Sequence, residues 1–170
     1  MDLKKIMRNI PDFPSKGIIF RDITPVLHDP EALCHAVDAI KKPLEGLDFD
    51  LIVGPESRGF IFGVPVAVAM KKGFVPVRKA GKLPYEVISK SYELEYGTAT
   101  VEIHKDAIKK GQKVAIVDDL LATGGTCEAI CQLVEDCGGE VAAISFLVEL
   151  LALDGRKKFT GYPIHSVLQY

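Results

Sequence analysis

Residues 114–126, Val-Ala-Ile-Val-Asp-Asp-Leu-Leu-Ala-Thr-Gly-Gly-Thr, constrain the fold of this chain more than any other stretch. Four consecutive apolar residues, Val114 to Val117, suit a short strand covered on both faces, as in a parallel sheet. The run stops at two adjacent carboxylates, Asp118 and Asp119, and an acidic turn is expected there. Ala122, Thr123, Gly124, Gly125 and Thr126 follow, with small side chains, two hydroxyls and two glycines. Ala129, Ile130, Leu133, Val134 and Cys137 then repeat at helical spacing. Main-chain N–H groups at the start of a helix lack intrahelical acceptors and sit at the positive end of its dipole, so such a loop can cradle a phosphate. The plainer reading of the same residues is a glycine-tolerant turn with two solvated acids.

The loop is neither of the two common nucleotide-binding sequences. A P-loop needs Lys after its last Gly, where Thr126 stands, and a dinucleotide fingerprint needs G-x-G-x-x-G directly after the strand. Two carboxylates beside a phosphate make chemical sense if a ribose lies between, because carboxylates accept from vicinal hydroxyls while main-chain amides hold the phosphate. The stretch resembles, without a gap, the 5-phosphoribosyl-1-pyrophosphate (PRPP) motif of the type I phosphoribosyltransferases. If the strand ran on through both acids, only one would face the ligand, since successive strand residues alternate.

A chain of 170 residues predicts one domain, residues 1–170, with material for a real core. With 48% apolar residues and a formal charge of −2, composition points to small-molecule partners, not to nucleic acid. Met1-Asp2-Leu3-Lys4-Lys5 does not lead into the apolar run of a secretory signal, and no apolar stretch reaches membrane-spanning length, so no membrane partner and a cytoplasmic location are expected. Cys34, Cys127, Cys131 and Cys137 form no metal-ligand spacing and are expected to be reduced and packed. The four histidines are scattered.

Along the chain, Leu3, Ile6, Met7 and Ile10 have helical spacing, predicting a helix that ends at Pro11. Turn residues then surround one isolated strand, Ile18 to Arg21, which is either a flap packed on the core or a lid over a flat apolar ligand. Asp29 and Pro30 mark a helix start, with Leu33, Ala36, Val37 and Ile40 on one face. Leu51-Ile52-Val53 is a second apolar strand. Gly54-Pro55-Glu56-Ser57-Arg58-Gly59 follows it and leads into an apolar helix, Phe60 to Met70, expected to be buried all round, with Pro65 either kinking it or marking where its regular part begins. Phe74 to Val77 is a third strand, and Arg78-Lys79-Ala80-Gly81-Lys82 reads as a solvated basic loop. Leu83 to Gly97 reads as a mobile flap, Thr98 to Ile103 as a half-exposed strand, Val141 to Val148 as a buried strand, Leu150 to Lys158 as irregular or helical, and Ile164 to Leu168 as a last strand. Strands alternating with helices imply an α/β fold, an open and mostly parallel sheet flanked by helices, whose ligands bind beyond the carboxyl ends of the strands.

Gly54 to Gly59 and Asp118 to Thr126 are both such ends. The donor's pyrophosphate requires a second anion loop facing the first, and Arg58 supplies a planar fork for it. Together with Pro11-Asp12-Phe13-Pro14, Gly17 to Leu27, Arg78-Lys79, Gly81-Lys82-Leu83-Pro84 and Leu94-Glu95-Tyr96-Gly97, these segments resemble the adenine phosphoribosyltransferases, in order from about residue 11 to 158. The resemblance implies a type I phosphoribosyltransferase fold with a small hood over the base at about 1–28 and a flexible flap at about 79–98. It implies transfer of the 5-phosphoribosyl group from PRPP to N9 of adenine, giving AMP and pyrophosphate with Mg²⁺, the ion held mainly by substrate and water. Carried over by position, Asp118 and Asp119 hold the ribose hydroxyls and Ala122, Thr123, Gly124, Gly125 and Thr126 the 5-phosphate. Glu56, Ser57, Arg58 and Lys82 meet pyrophosphate, through a loop with a cis peptide placed at Glu56-Ser57. Adenine stacks between Phe20 and Leu150, its edge read by the main chain at Ile19 and Arg21. Glu95 is the acid or base at the purine, with Arg58 and Lys82 also catalytic, and Arg78 reaches a neighbouring subunit's site in a homodimer. The alternatives are a phosphoribosyltransferase for another purine, xanthine or hypoxanthine, and a PRPP-sensing regulator, for whose DNA-binding module about twenty residues before the first motif are too few.

Overall fold

The computed structural model describes residues 1–94 and 97–170. The first 28 residues hold helix α1 (Leu3–Ile6), the antiparallel pair β1 (Arg8–Pro11) and β2 (Ile19–Asp22), and α2 (Thr24–His28). Then come α3 (Pro30–Lys41), β3 (Leu51–Pro55), α4 (Arg58–Met70), β4 (Gly73–Lys79), β5 (Val87–Glu93), β6 (Thr98–His104), β7 (Lys113–Leu121), α5 (Gly125–Asp136), β8 (Glu140–Glu149) and β9 (Ile164–Gln169), with two 3₁₀ turns, Leu151–Leu153 and Gly155–Lys158, between the last two strands. Strands β3 to β9 form one sheet in the order β5-β6-β4-β3-β7-β8-β9. Its β4-β3-β7-β8-β9 portion is parallel and β5 and β6 are antiparallel additions at one edge, so the sheet is mostly parallel with helices on both faces.

The period of two in β7 explains the layering. Ala115 and Val117 pack with Ile40 of α3 and Phe62 and Val66 of α4, while Val114 and Ile116 pack with Ile130 and Leu133 of α5. All nine are fully buried, which is why this strand reads as an unbroken apolar run. Asp29 caps α3 as its sequence predicts, its carboxylate accepting from the Ala32 N–H at 2.9 Å.

Several expectations are corrected. The opening helix stops at Ile6. Met7 is already extended, and Ile10 lies opposite Phe20 in β1–β2, where strand pairing and the helix-averse position before Pro11 outweigh the helical spacing. The strand at 19–22 is therefore not isolated. Helix α4 is buried on one side only: Ile61, Val64 and Val68 are 37%, 42% and 72% exposed, because the sheet and α3 cover a single face of it. Arg78 and Lys79 belong to β4 and not to a loop, and much of the segment read as a flap is β5, paired with β6 from Val87–His104 to Glu93–Thr98. The cysteines are free, but only Cys127 and Cys131 are buried; Cys34 is exposed on α3.

Candidate active site

Strands β3 and β7 lie side by side and end at the same edge, so the loops after them face each other across a cleft of about 430 Å³. Pro55, Glu56, Ser57 and Arg58 form one wall; Asp118, Asp119 and residues 121–127 form the other. The carboxyl edge of the sheet is where an open α/β fold places its ligands.

The acidic pair is not a turn. Strand β7 runs through both carboxylates to Leu121, and the two side chains diverge. Asp119 Oδ2 accepts from Arg58 Nε at 2.9 Å. Asp118 Oδ1 accepts from the Asp119 N–H at 2.8 Å and lies 2.9 Å from where a Cβ on Gly59 would stand, so α4 approaches this carboxylate only because residue 59 is glycine. Both carboxylates still line the cleft, with their residues 9% and 5% exposed. Burial, and then the like charge of Asp119, push the Asp118 carboxyl well above the ordinary carboxylate range; burial also raises Asp119, against the opposing pull of Arg58.

The turn comes at Ala122 to Gly124, and α5 begins at Gly125, so Thr126 stands in the first helical turn with its N–H toward the cleft end of the helix. Gly124 adopts φ +85°, which a side chain would strain. The loop rests on Gly155, whose added Cβ would stand 2.2 Å from the Ala122 carbonyl oxygen. The Thr126 hydroxyl donates to Tyr92 Oη at 3.0 Å, which ties β5 to the loop.

On the opposite wall the Glu56–Ser57 peptide is cis. Glu56 turns its carboxylate toward β4, accepting from the Lys79 N–H at 2.6 Å and from Arg78 Nη2 at 3.4 Å. Burial raises this carboxyl, and the two donors with the nearby cations more than offset it, leaving it below the ordinary range. Arg78 also donates to the Lys82 carbonyl at 3.3 Å. Lys82 is exposed on the turn after β4 and does not line the cleft, whereas Lys79 does.

Above Arg58 lies the N-terminal pair of strands. The Arg58 guanidinium carbon is 5.9 Å from the centre of the Phe20 ring, which packs edge-on against Phe13 at 5.2 Å. Ile19 is exposed and Phe20 and Arg21 are half-buried, and none of the three lines the cleft between the two loops. Leu150, half-buried just past β8, donates its N–H to the Leu121 carbonyl at 2.9 Å. Glu95 lies outside the described residues. Lys79, Tyr92 and Gly155 were not singled out from the sequence as site residues: the basic run held Lys79 without marking it, and nothing local distinguishes the other two.

Among the described residues no three His, Cys, Asp or Glu side chains gather as a metal cage. Two adjacent carboxylates lining the cleft fit Mg²⁺, which takes few protein ligands and keeps waters and substrate oxygens.

A family model for the phosphoribosyl transferase domain matches residues 26–163. The chain is 61% identical to the adenine phosphoribosyltransferase of Lachnoclostridium phytofermentans over 168 residues, covering 99% of this chain and 97% of that one. It superposes on the crystal structure of the adenine phosphoribosyltransferase of Thermoanaerobacter pseudethanolicus with a TM-score of 0.95 at 59% identity, covering 98% and 97% of the two chains. It superposes on that of Saccharomyces cerevisiae, complexed with an imino-altritol bisphosphate and adenine, with a TM-score of 0.93 at 44% identity, covering 97% and 96%. With its parallel sheet, its acidic strand end and its glycine loop matched over nearly its whole length, the chain belongs to the phosphoribosyltransferase family, among the adenine phosphoribosyltransferases.

Proposed function

We propose that this chain transfers the 5-phosphoribosyl group from PRPP to N9 of adenine, releasing AMP and pyrophosphate, as a purine-salvage enzyme of the cytoplasm. The observation that carries the reading is the cleft itself, with main-chain amides of 122–126 at one end, Asp118 and Asp119 in the middle and Arg58 beyond them. That order matches a 5-phosphate, two ribose hydroxyls and a pyrophosphate. The yeast relative's complex with adenine and a sugar-like bisphosphate supports the same ligand classes.

In the reaction the N9 electron pair forms a bond to C1 of the ribose while the bond from C1 to the pyrophosphate oxygen breaks, its electron pair leaving with pyrophosphate. Asp118 and Asp119, with the donor's oxygens and water, would hold Mg²⁺, which when bound would supply positive charge to the leaving group. Arg58 and, when the turn after β4 closes in, Lys82 stabilise that charge further, while Glu56 and Ser57 shape the loop that presents Arg58. Glu95 takes the proton that N9 sheds or returns it in the reverse direction. Phe20 and Leu150 sandwich the purine, with Ile19 and Arg21 presenting main-chain groups to its edge. Residues 1–28 then act as a hood over the base and 79–98 as a flap that excludes water from a reactive C1.

A homodimer completes the proposal. The apolar stripe Ile61, Val64 and Val68 on α4 is the kind of surface that an isologous contact covers, and Arg78 is the residue assigned to the neighbouring site. Pyrophosphate release from PRPP and Mg²⁺, measured with adenine, hypoxanthine, guanine and xanthine, tests the assignment: adenine is expected to be strongly preferred, and equal rates with hypoxanthine would overturn it. Glu95→Ala is expected to lower kcat with little change in PRPP affinity.

A further inference from the structure

We propose that Tyr170 is a positioning residue for the purine, holding both walls of the base site in register. The inference rests on the reading that adenine lies between Phe20 and Leu150. The Tyr170 ring lies under Arg21, whose guanidinium carbon is 4.2 Å from the ring centre, and Lys4 Nζ is 5.1 Å from the same centre. Such stacking fixes the Arg21 side chain, which also donates to Asn9 Oδ1 across the β1–β2 pair. The same residue grips the other wall through its main chain. Its N–H donates to the Glu149 carbonyl at 3.0 Å, and its carbonyl accepts from the Leu151 N–H at 2.9 Å, so the residues on either side of Leu150 are both bonded to Tyr170. One side chain thus orients the strand that reads the purine edge while its own backbone orients the leucine on the opposite face. Among the described residues the Tyr170 hydroxyl is buried without a hydrogen-bond partner, so the ring carries the role.

The test is a set of variants assayed for KM with each substrate. Tyr170→Phe keeps the ring and is expected to match the parent, whereas Tyr170→Leu is expected to raise the adenine KM about three- to tenfold and leave the PRPP KM within about twofold. Arg21→Gln, which removes the cation and leaves the ring, is expected to raise the adenine KM similarly, and the double variant to add little more. It keeps the proposal testable if Tyr170→Leu does not fold. Phe20→Ala separates the two levels of inference. If Phe20→Ala raises the adenine KM but neither Tyr170→Leu nor Arg21→Gln does, the positioning role fails and the base site stands. If Phe20→Ala leaves adenine binding unchanged, the base site itself is misplaced and the proposal falls with it. An equal rise in both KM values for Tyr170→Leu would also overturn the role, as would a Tyr170→Phe variant no better than Tyr170→Leu.

Discussion

Arg58 Nε donates to Asp119 Oδ2 over 2.9 Å, so the cation assigned to pyrophosphate is bonded directly to a carboxylate assigned to the ribose. The contact joins the first residue of α4 to the end of β7, and it sets the guanidinium at the mouth of the cleft under the Phe20 ring. In the proposed reaction a bound donor would use both partners at once, with Asp119 accepting from sugar hydroxyls and Arg58 donating to phosphate oxygens.

Asp119→Asn separates these roles. Loss of a charged acceptor for the ribose hydroxyls removes about 1.5–3 kcal/mol, which is a rise of about ten- to a hundredfold in the PRPP KM. Pyrophosphate alone has no ribose, and Arg58 is released from its carboxylate in this variant. Inhibition by pyrophosphate is therefore expected to be unchanged or tighter. Steady-state inhibition constants for pyrophosphate measured beside the PRPP KM check this, and parallel weakening of both ligands would contradict the assignment.

Asp118 supplies a pH-dependent prediction. Its folded carboxyl is raised far above its unfolded value by burial and by Asp119. The native state therefore binds a proton that the unfolded chain has released, and stability falls as pH rises from the unfolded value near 4 through the folded one. Asp118→Asn retains the oxygen that accepts from the Asp119 N–H and removes the buried charge. The variant is expected to gain about 1 kcal/mol at pH 7, about 2–4 °C in Tm, and to lose activity. The gain should shrink toward pH 4; a variant less stable than the parent at pH 7 would refute the electrostatic account.

The alternation of strands and helices along the chain was legible because it is written in local signals. The apolar run 114–117, the Asp29-Pro30 cap and the glycine loop 122–126 each force one geometry on the backbone. The end of helix α1 and strand β1 were not legible, since spacing at Leu3, Ile6, Met7 and Ile10 satisfies a helix throughout and only the partner strand at 19–22 decides. The apolar face of α4 was misread because composition reports how apolar a helix is and not which of its faces the chain itself covers. In the site, Asp118, Asp119 and Arg58 come together at the carboxyl edge of the sheet as their sequence context suggests, although the acidic pair lies within β7 and not in a turn. Tyr92 and Gly155 escape notice because their roles depend on segments 34 and 33 positions away, at Thr126 and Ala122, and no pattern within a few residues of either records that contact.

Glu149 and Arg156 hold the segment that carries Gly155. Arg156 Nε and Nη2 donate to the two Glu149 oxygens at 3.0 and 2.6 Å, and Ser166 Oγ adds a further bond at 2.7 Å. The Arg156 hydrogen bond is the largest influence in bringing the Glu149 carboxyl below its ordinary value, against the opposing effect of burial. Its contribution is present above the unfolded carboxylate value and is lost as pH falls through the lower folded one. Arg156→Met leaves a carboxylate whose side chain is 4% exposed without its cation, at a cost of about 3 kcal/mol. Urea unfolding at pH 7 is expected to show that loss. Near pH 4, where protonation neutralises the orphaned carboxylate, the difference from the parent should be smaller.

Gly155 itself gives the sharpest geometric prediction. A methyl group there would stand 2.2 Å from the Ala122 carbonyl oxygen and 3.1 Å from Leu121 Cδ1, and the first contact is with backbone that cannot rotate away. Either the 3₁₀ turn at 155–158 or the loop at 122–124 must move. The turn is held by the Glu149–Arg156 bonds, so the loop is expected to yield and to carry its amides away from the positions proposed to face the 5-phosphate. Overpacking of this kind costs about 1–3 kcal/mol. Where it falls on ligand binding, Gly155→Ala raises the PRPP KM about five- to a hundredfold while the adenine KM, set on the far side of the cleft, changes little. Isothermal titration of PRPP against the variant, alongside adenine KM values, distinguishes this from general unfolding. A variant with parental PRPP affinity and an intact thermal transition would show that the loop does not depend on the space left by Gly155.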